Sequence, residues 1–418
     1  MPAENAAHIL PLWTVIPFVG LLLSIALLPL KAHHFWESHR NKALVAAFWS
    51  LPVIIYFLFV RHDTLEILHS MKDYVSFLLL LTALFIISGG IVIKGDIRAT
   101  PAVNSGFLLI GAVLANFVGT TGASMLLIRP FLQTNSERRR TGHLPIFFIF
   151  LVSNIGGCLT PLGDPPLFMG FIKGVPFFWT LKLLPEWLVM IGMVLTVFYF
   201  YDRYQYEREE RRDLIRDREL FIPLHLTGAV NFLWLAGVIS ALFMPFPRRE
   251  GMLILMAVMS LLTSRRECRV ANRFTYNPIV EVAVLFAGIF ITMVPALVVL
   301  NTRAAELGID RPWQFFWLTG SLSSFLDNTP TYLAFLSMAQ GLGLNGDIVG
   351  VPTAFLRAIS VGAVFMGANS YIGNGPNFMV KVIAEEFNYR MPSFFGYMAY
   401  SAAVLVPLYL IQTLVFFR

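Results

Sequence analysis

Apolar residues run along this chain in long blocks rather than in alternation or on one helical face. A helix needs about 20 apolar residues to cross a bilayer. Blocks near that length fall at 10–30, 43–60, 74–93, 177–201, 228–245, 251–264, 278–300 and 393–417. Four further apolar stretches are interrupted by small, polar and proline residues. "VGTTGASML" (118–126) interrupts 103–133, and "LDNTPTYLA" (326–334) interrupts 313–340. "GCLTPLGDPPLFM" (157–169) interrupts 145–172, and "GANSYIGNGPNFM" (367–379) interrupts 355–386. The pattern predicts an all-α polytopic membrane protein. The first two interrupted stretches read as re-entrant hairpins, the second two as broken helices.

The order of elements occurs twice. Three spans, a hairpin, a broken helix and a span fill 1–201, and the same order fills 227–418 after a charged linker, 202–226. At an offset of 210 residues, Gly157, Gly163, Pro166, Phe168 and Met169 meet Gly367, Gly373, Pro376, Phe378 and Met379; at an offset of 208, Thr121 meets Thr329. Each half crosses the bilayer five times. The odd number turns the halves upside down relative to one another, which predicts two inverted repeats.

Charge orients this arrangement. Nineteen of the 31 Lys and Arg residues lie in 31–42, 94–102, 134–144, 202–226, 265–277 and 386–392, all on one side of the predicted topology. The positive-inside rule places these loops in the cytoplasm and both termini outside.

Composition removes other classes. The chain of 418 residues is 57 % hydrophobic and only 13 % charged, against about 25 % charged in soluble domains. The net charge of +6 is accounted for by orientation and gives no reason to expect nucleic acid. Two cysteines, Cys158 and Cys268, make neither a disulfide framework nor a metal set. All histidines lie in or beside polar loops, so an intramembrane protease or metal centre lacks its groups.

Non-helical backbone at membrane depth is stable only inside protein or against a hydrated cavity. The tips 119–122 and 327–330 and the breaks 157–166 and 367–376 are therefore expected to meet near mid-membrane as one site. Candidate substrate or ion ligands are Thr120, Thr121, Asn328 and Thr329 at the tips, with Thr160, Asn369, Ser370, Asn374 and Asn377 in the breaks. Asp164 and Asp327 are the acids at this depth. Such a carboxylate holds a cation when ionised and a proton when neutral; Asp also favours helix N-caps, and both readings stand. Asp164, Asp327, Asn328 and Asn374 are the sodium candidates. Asn116 and Asn154 suit either coordination or helix packing, Glu281 suits the membrane interface, and Lys381 suits a pair with Glu385.

The stretches "SNIGGCLTPLGDPPLFMGF" and "SSFLDNTPTYLAFLSMA", with the two-fold repeat, resemble the ion transporter superfamily, which holds citrate/metal–proton carriers, dicarboxylate carriers and NhaD-type sodium/proton antiporters. The chain is also similar to a bacterial group named for citrate transport or sodium:proton antiport. The resemblance implies an elevator-type secondary transporter of the bacterial inner membrane, usually a homodimer, with no cofactor beyond sodium ions and protons. The first tip, Gly119-Thr120-Thr121, lacks the Ser-Asn-Thr of the dicarboxylate carriers, and the second, Asp327-Asn328-Thr329, keeps it in part. Sodium/proton antiport is the first expectation; cation-coupled transport of citrate or another di- or tricarboxylate is the alternative.

Overall fold

The computed structural model describes residues 10–219 and 221–418. Residues 1–9 of the first half and position 220 of the linker lie outside the described residues. The first half comprises α1 (Ile16–Lys31), α2 (His33–Trp36), α3 (His39–Ile55), α4 (Leu65–Gly89), β1 (Val92–Asp96), α5 (Pro101–Thr134), α6 (Leu144–Leu151), α7 (Pro165–Ile172) and α8 (Leu184–Tyr206). The linker folds as α9 (Arg211–Glu219) and β2 (Ile222–Thr227). The second half comprises α10 (Val230–Ala241), α11 (Arg248–Thr263), α12 (Arg266–Ala271), α13 (Asn277–Thr302), α14 (Pro312–Ser323), α15 (Asn328–Gly341), α16 (Thr353–Met366), α17 (Gly375–Glu386) and α18 (Phe394–Phe416). Seven helical segments among the described residues are long and apolar enough to cross a membrane. The molecule is an all-α polytopic membrane protein that also carries a small two-stranded sheet.

That sheet was not expected. β1 and β2 pair antiparallel, with Val92 opposite Thr227 and Lys94 opposite His225. The linker is thus partly ordered, and α8 runs five residues into it.

α5 is two arms joined at Gly119, whose φ of +79° and ψ of 155° are outside the helical range. Only glycine takes this conformation without strain. The arms lie side by side: Phe107 meets Phe131 with ring centroids 5.5 Å apart, and the amides of Asn104 and Asn135 exchange hydrogen bonds of 2.9 Å. The turn is a single residue, narrower than 119–122. In the second half α14 and α15 fold back similarly, with Phe315 against Phe335 at 6.0 Å. Here the non-helical residues are 324–327; Asn328 and Thr329 already belong to α15.

The two helix breaks share one construction. Between α6 and α7 the chain leaves the α-helix over 152–164, and between α16 and α17 over 367–374. A Cβ placed on Gly163 would lie 2.1 Å from the Gly157 carbonyl oxygen, and one on Gly373 would lie 2.6 Å from that of Gly367. Each break is closed by two glycines in backbone contact, leaving no room for a side chain.

Contacts sort the loops into two faces. The β1–β2 sheet joins 92–96 to 222–227, Arg138 pairs with Asp202 at 2.7 Å, Asn272 donates to the Ile91 carbonyl at 2.6 Å, and Arg273 pairs with Glu386 at 2.6 Å. All these loops belong to the predicted basic face. On the other face Lys173 pairs with Asp73 at 2.7 Å, and Phe177 packs on Phe243 at 5.1 Å. Both described chain ends lie on this second face, Leu10 beside Phe57 and Val299, and Phe417 stacked on Phe316 at 4.9 Å.

His143 is buried although its surroundings in sequence are polar. Its Nε2 lies 2.9 Å from Asp202 Oδ1, beside the Arg138 pair, so the base of the first hairpin is bolted to α8 by buried charge.

Candidate functional site

Asp164 is 1 % exposed and stands at the mouth of α7, yet its side chain makes no cap hydrogen bond there. It reaches instead to three other elements. Thr120 Oγ1, just past the first hairpin turn, donates to Asp164 Oδ1 at 2.9 Å. Asn328 Nδ2, at the start of α15, donates to Oδ2 at 2.5 Å. Asn374 Nδ2, in the second break, donates to Oδ1 at 3.1 Å. One carboxylate therefore gathers both hairpins and both breaks. Three donors favour its ionised form, while full burial opposes it.

The surrounding bonds fix this geometry, and they fall in matched sets. Thr160 Oγ1 donates to the Asn116 carbonyl at 2.5 Å and accepts from Gly163 N at 3.2 Å. Ser370 Oγ donates to the Ser324 carbonyl at 2.5 Å and accepts from Gly373 N at 3.1 Å. Thr160 and Asp164 have φ near −141°, as has Ser370, with Asn374 at −152°.

Of the predicted ligands, Thr120, Asn328 and Asn374 converge on Asp164. Both amides present nitrogen to it, whereas the sodium reading requires their oxygens. Thr160 and Ser370 tie each break to its hairpin. Asn369 donates to Ser324 Oγ at 2.9 Å, and Asn377 donates to the carbonyls of Gly367 and Ser370 at 2.8 Å, so these two hold the second break in shape. Asn154 and Asn116 serve similarly: Asn154 Nδ2 donates to Asn377 Oδ1 at 2.7 Å, and Asn116 Nδ2 to the Gly156 carbonyl at 2.7 Å. Asp327 is the N-cap of α15, accepting from Thr329 N at 3.0 Å. The Thr329 hydroxyl lies 3.4 Å from Asn328 Oδ1.

A cavity of about 710 Å³ leads to this group. Its inner end is formed by Gly119, Thr120, Thr121, Gly163, Asp327 and Asn374, and Asp164 lies just beneath. At the basic face it is bordered by Trp36, Lys42, Glu281 and Lys381. Glu281 is thus a cavity residue, paired with Lys42 at 2.6 Å, and Lys381 holds the expected pair with Glu385 at 2.9 Å. The Lys42 pairing went unforeseen because a lysine near a span end reads as an interfacial anchor.

A family model described as "Putative citrate transport" matches residues 7–417. No curated protein matches the chain. The match spans nearly the whole sequence, and the chain belongs to this citrate-transport family.

Proposed function

We propose, from that membership and from Asp164, that the chain is a secondary transporter of citrate-type carboxylates in the bacterial inner membrane, coupled to a cation or proton through that residue. The observation that carries the reading is the convergence of Thr120, Asn328 and Asn374 on one buried acid at the end of a cavity. An acid so placed is expensive unless it works. It exchanges a proton or faces the cation that accompanies the anion. A citrate trianion approaching Asp164 and Asp327 requires such a positive companion, since like charges at this depth repel without solvent screening.

The halves act as inverted repeats, 1–201 and 227–418, joined by the linker 202–226. Their matched glycine closures and their matched Thr160 and Ser370 bonds support this reading. The hairpins (103–133 and 313–340 in the sequence reading) and the broken helices form a core that moves against a scaffold of α1, α3, α4, α10, α11 and α13. This is alternating access of the elevator type, and the scaffold pairs two copies in a homodimer. The basic face is cytoplasmic.

A second reading, sodium/proton antiport, is favoured by one feature: the inner end of the cavity carries an acid, Asp327, with a second acid, Asp164, just beneath it. Purified protein in proteoliposomes distinguishes the two. Labelled citrate uptake driven by a pH or sodium gradient is expected. Sodium-dependent proton movement without citrate uptake would replace the first reading by the second.

A further inference from the structure

The scaffold wall of the cavity is apolar along most of its length, through Leu80, Leu84, Phe286 and Ile289. Among the described residues it carries one ammonium, that of Lys42. The Lys42 side chain is 6 % exposed, beside Trp36 with Nζ 5.8 Å from the ring centroid, and Nζ is held by Glu281 Oε1 at 2.6 Å. Glu281 is 41 % exposed. Both residues line the cavity whose inner end is the Asp164 group.

A desolvated ammonium with a half-exposed carboxylate on it is a binding site that already contains a stand-in for its ligand. Charge-assisted hydrogen bonds of this kind are strong, and an ammonium makes the same bond to any carboxylate that reaches it. We propose that Lys42 is an anion-docking residue at the basic-face mouth of the cavity, where a carboxylate of the substrate displaces Glu281. Beyond this ammonium the described residues of the scaffold wall are apolar up to the inner end. The other charges bordering the cavity among the described residues are Glu37 on the scaffold side, Lys381, which is engaged by Glu385, on the core side, and Asp327 at the inner end. The site selects for carboxylates and against cations moving alone, and it rests on the carboxylate-transport reading above.

The test uses the full-length protein in proteoliposomes, with initial rates of citrate transport, and in detergent, with citrate binding by calorimetry. Lys42→Gln is expected to raise KM and Kd about tenfold, the scale of one charged hydrogen bond, with kcat nearly kept. Glu281→Gln is expected to lower both, because it removes the internal competitor. Lys42→Arg is expected to stay near wild type. The exchange Lys42→Glu with Glu281→Lys rebuilds the pair on opposite helices. A pair that serves only stability would be rescued by the exchange, whereas docking predicts that KM stays raised. An unchanged KM in Lys42→Gln, a KM that does not fall in Glu281→Gln, or rescue by the exchange overturns the proposal alone. A wild type that neither binds nor moves citrate removes the transport reading and this one with it.

Discussion

Asn374 donates a hydrogen bond of 3.1 Å to Asp164, although 210 residues separate them. The two occupy the same place in their respective breaks, one residue before α17 and α7, with φ and ψ of −152° and 142° against −141° and 141°. Each faces its own counterpart. The two breaks match in backbone and differ in charge at this position: the first carries a carboxylate and the second an amide that donates to it.

Asp164→Asn is expected to abolish citrate uptake while the protein still reaches the membrane. The new amide sets an N–H against one of three donors, so stability falls by about 1–3 kcal/mol. Uptake normalised to folded protein in vesicles checks this. Rates above half of wild type would move the coupling group elsewhere.

For Asp327 the expected order is the reverse. Its carboxylate caps α15 through Thr329 N, so Asp327→Asn retains an oxygen there and is expected to keep most of the uptake. Asp327→Ala loses the cap and about 1 kcal/mol of stability. Comparing thermal unfolding with uptake for the pair separates capping from coupling; uptake lost in Asp327→Asn without loss of stability would make this acid a coupling group too.

Gly163→Ala is expected to destabilise the protein by about 1–3 kcal/mol, since its Cβ would press on the Gly157 carbonyl 2.1 Å away. Backbone cannot step aside as a side-chain tip can. Gly142→Ala is the control, with nothing within 4 Å of the added Cβ, and should change stability by roughly 0.5 kcal/mol or less. Fluorescence-detected thermal unfolding in detergent measures both.

Cysteines placed at Ser136 and Arg303 are expected to label from opposite sides. These positions lie on the two loop faces, and the basic bias puts 136 in the cytoplasm. Cys158 and Cys268 are buried and give little background. An impermeant thiol reagent that reaches 136 but not 303 in intact cells would invert the topology.

The sequence made spans legible because their signal is length, and it marked the breaks because glycine, proline and polar residues cluster within a few positions inside otherwise apolar stretches, at 156–166 and 367–376. Asp164 stood out as a charge inside an apolar run. Its partners could be guessed as a set, but the direction of the Asn328 and Asn374 amides depends on which atoms face the carboxylate, and no residue spacing encodes that. β1 was hidden because Val92 and Ile93 also read as the end of a span. The Lys42–Glu281 pair joins residues 239 positions apart, each plausible alone at a membrane surface. Turn positions shifted by a few residues, as at 324–327, because Ser324 and Phe325 are as compatible with helix as with a turn.

α10 has twelve residues, about 18 Å of helix at 1.5 Å per residue, against a hydrocarbon layer of about 30 Å. It nevertheless runs from Asn231, bonded to Gly90 near the basic face, toward Phe243 near the other. Lipid beside it must shorten or tilt to meet its ends, at a cost of a fraction of a kcal/mol per Å of mismatch. Shorter acyl chains should suit the α10 edge better than longer ones, and reconstitution across a series of chain lengths is expected to find the optimum at the thin end.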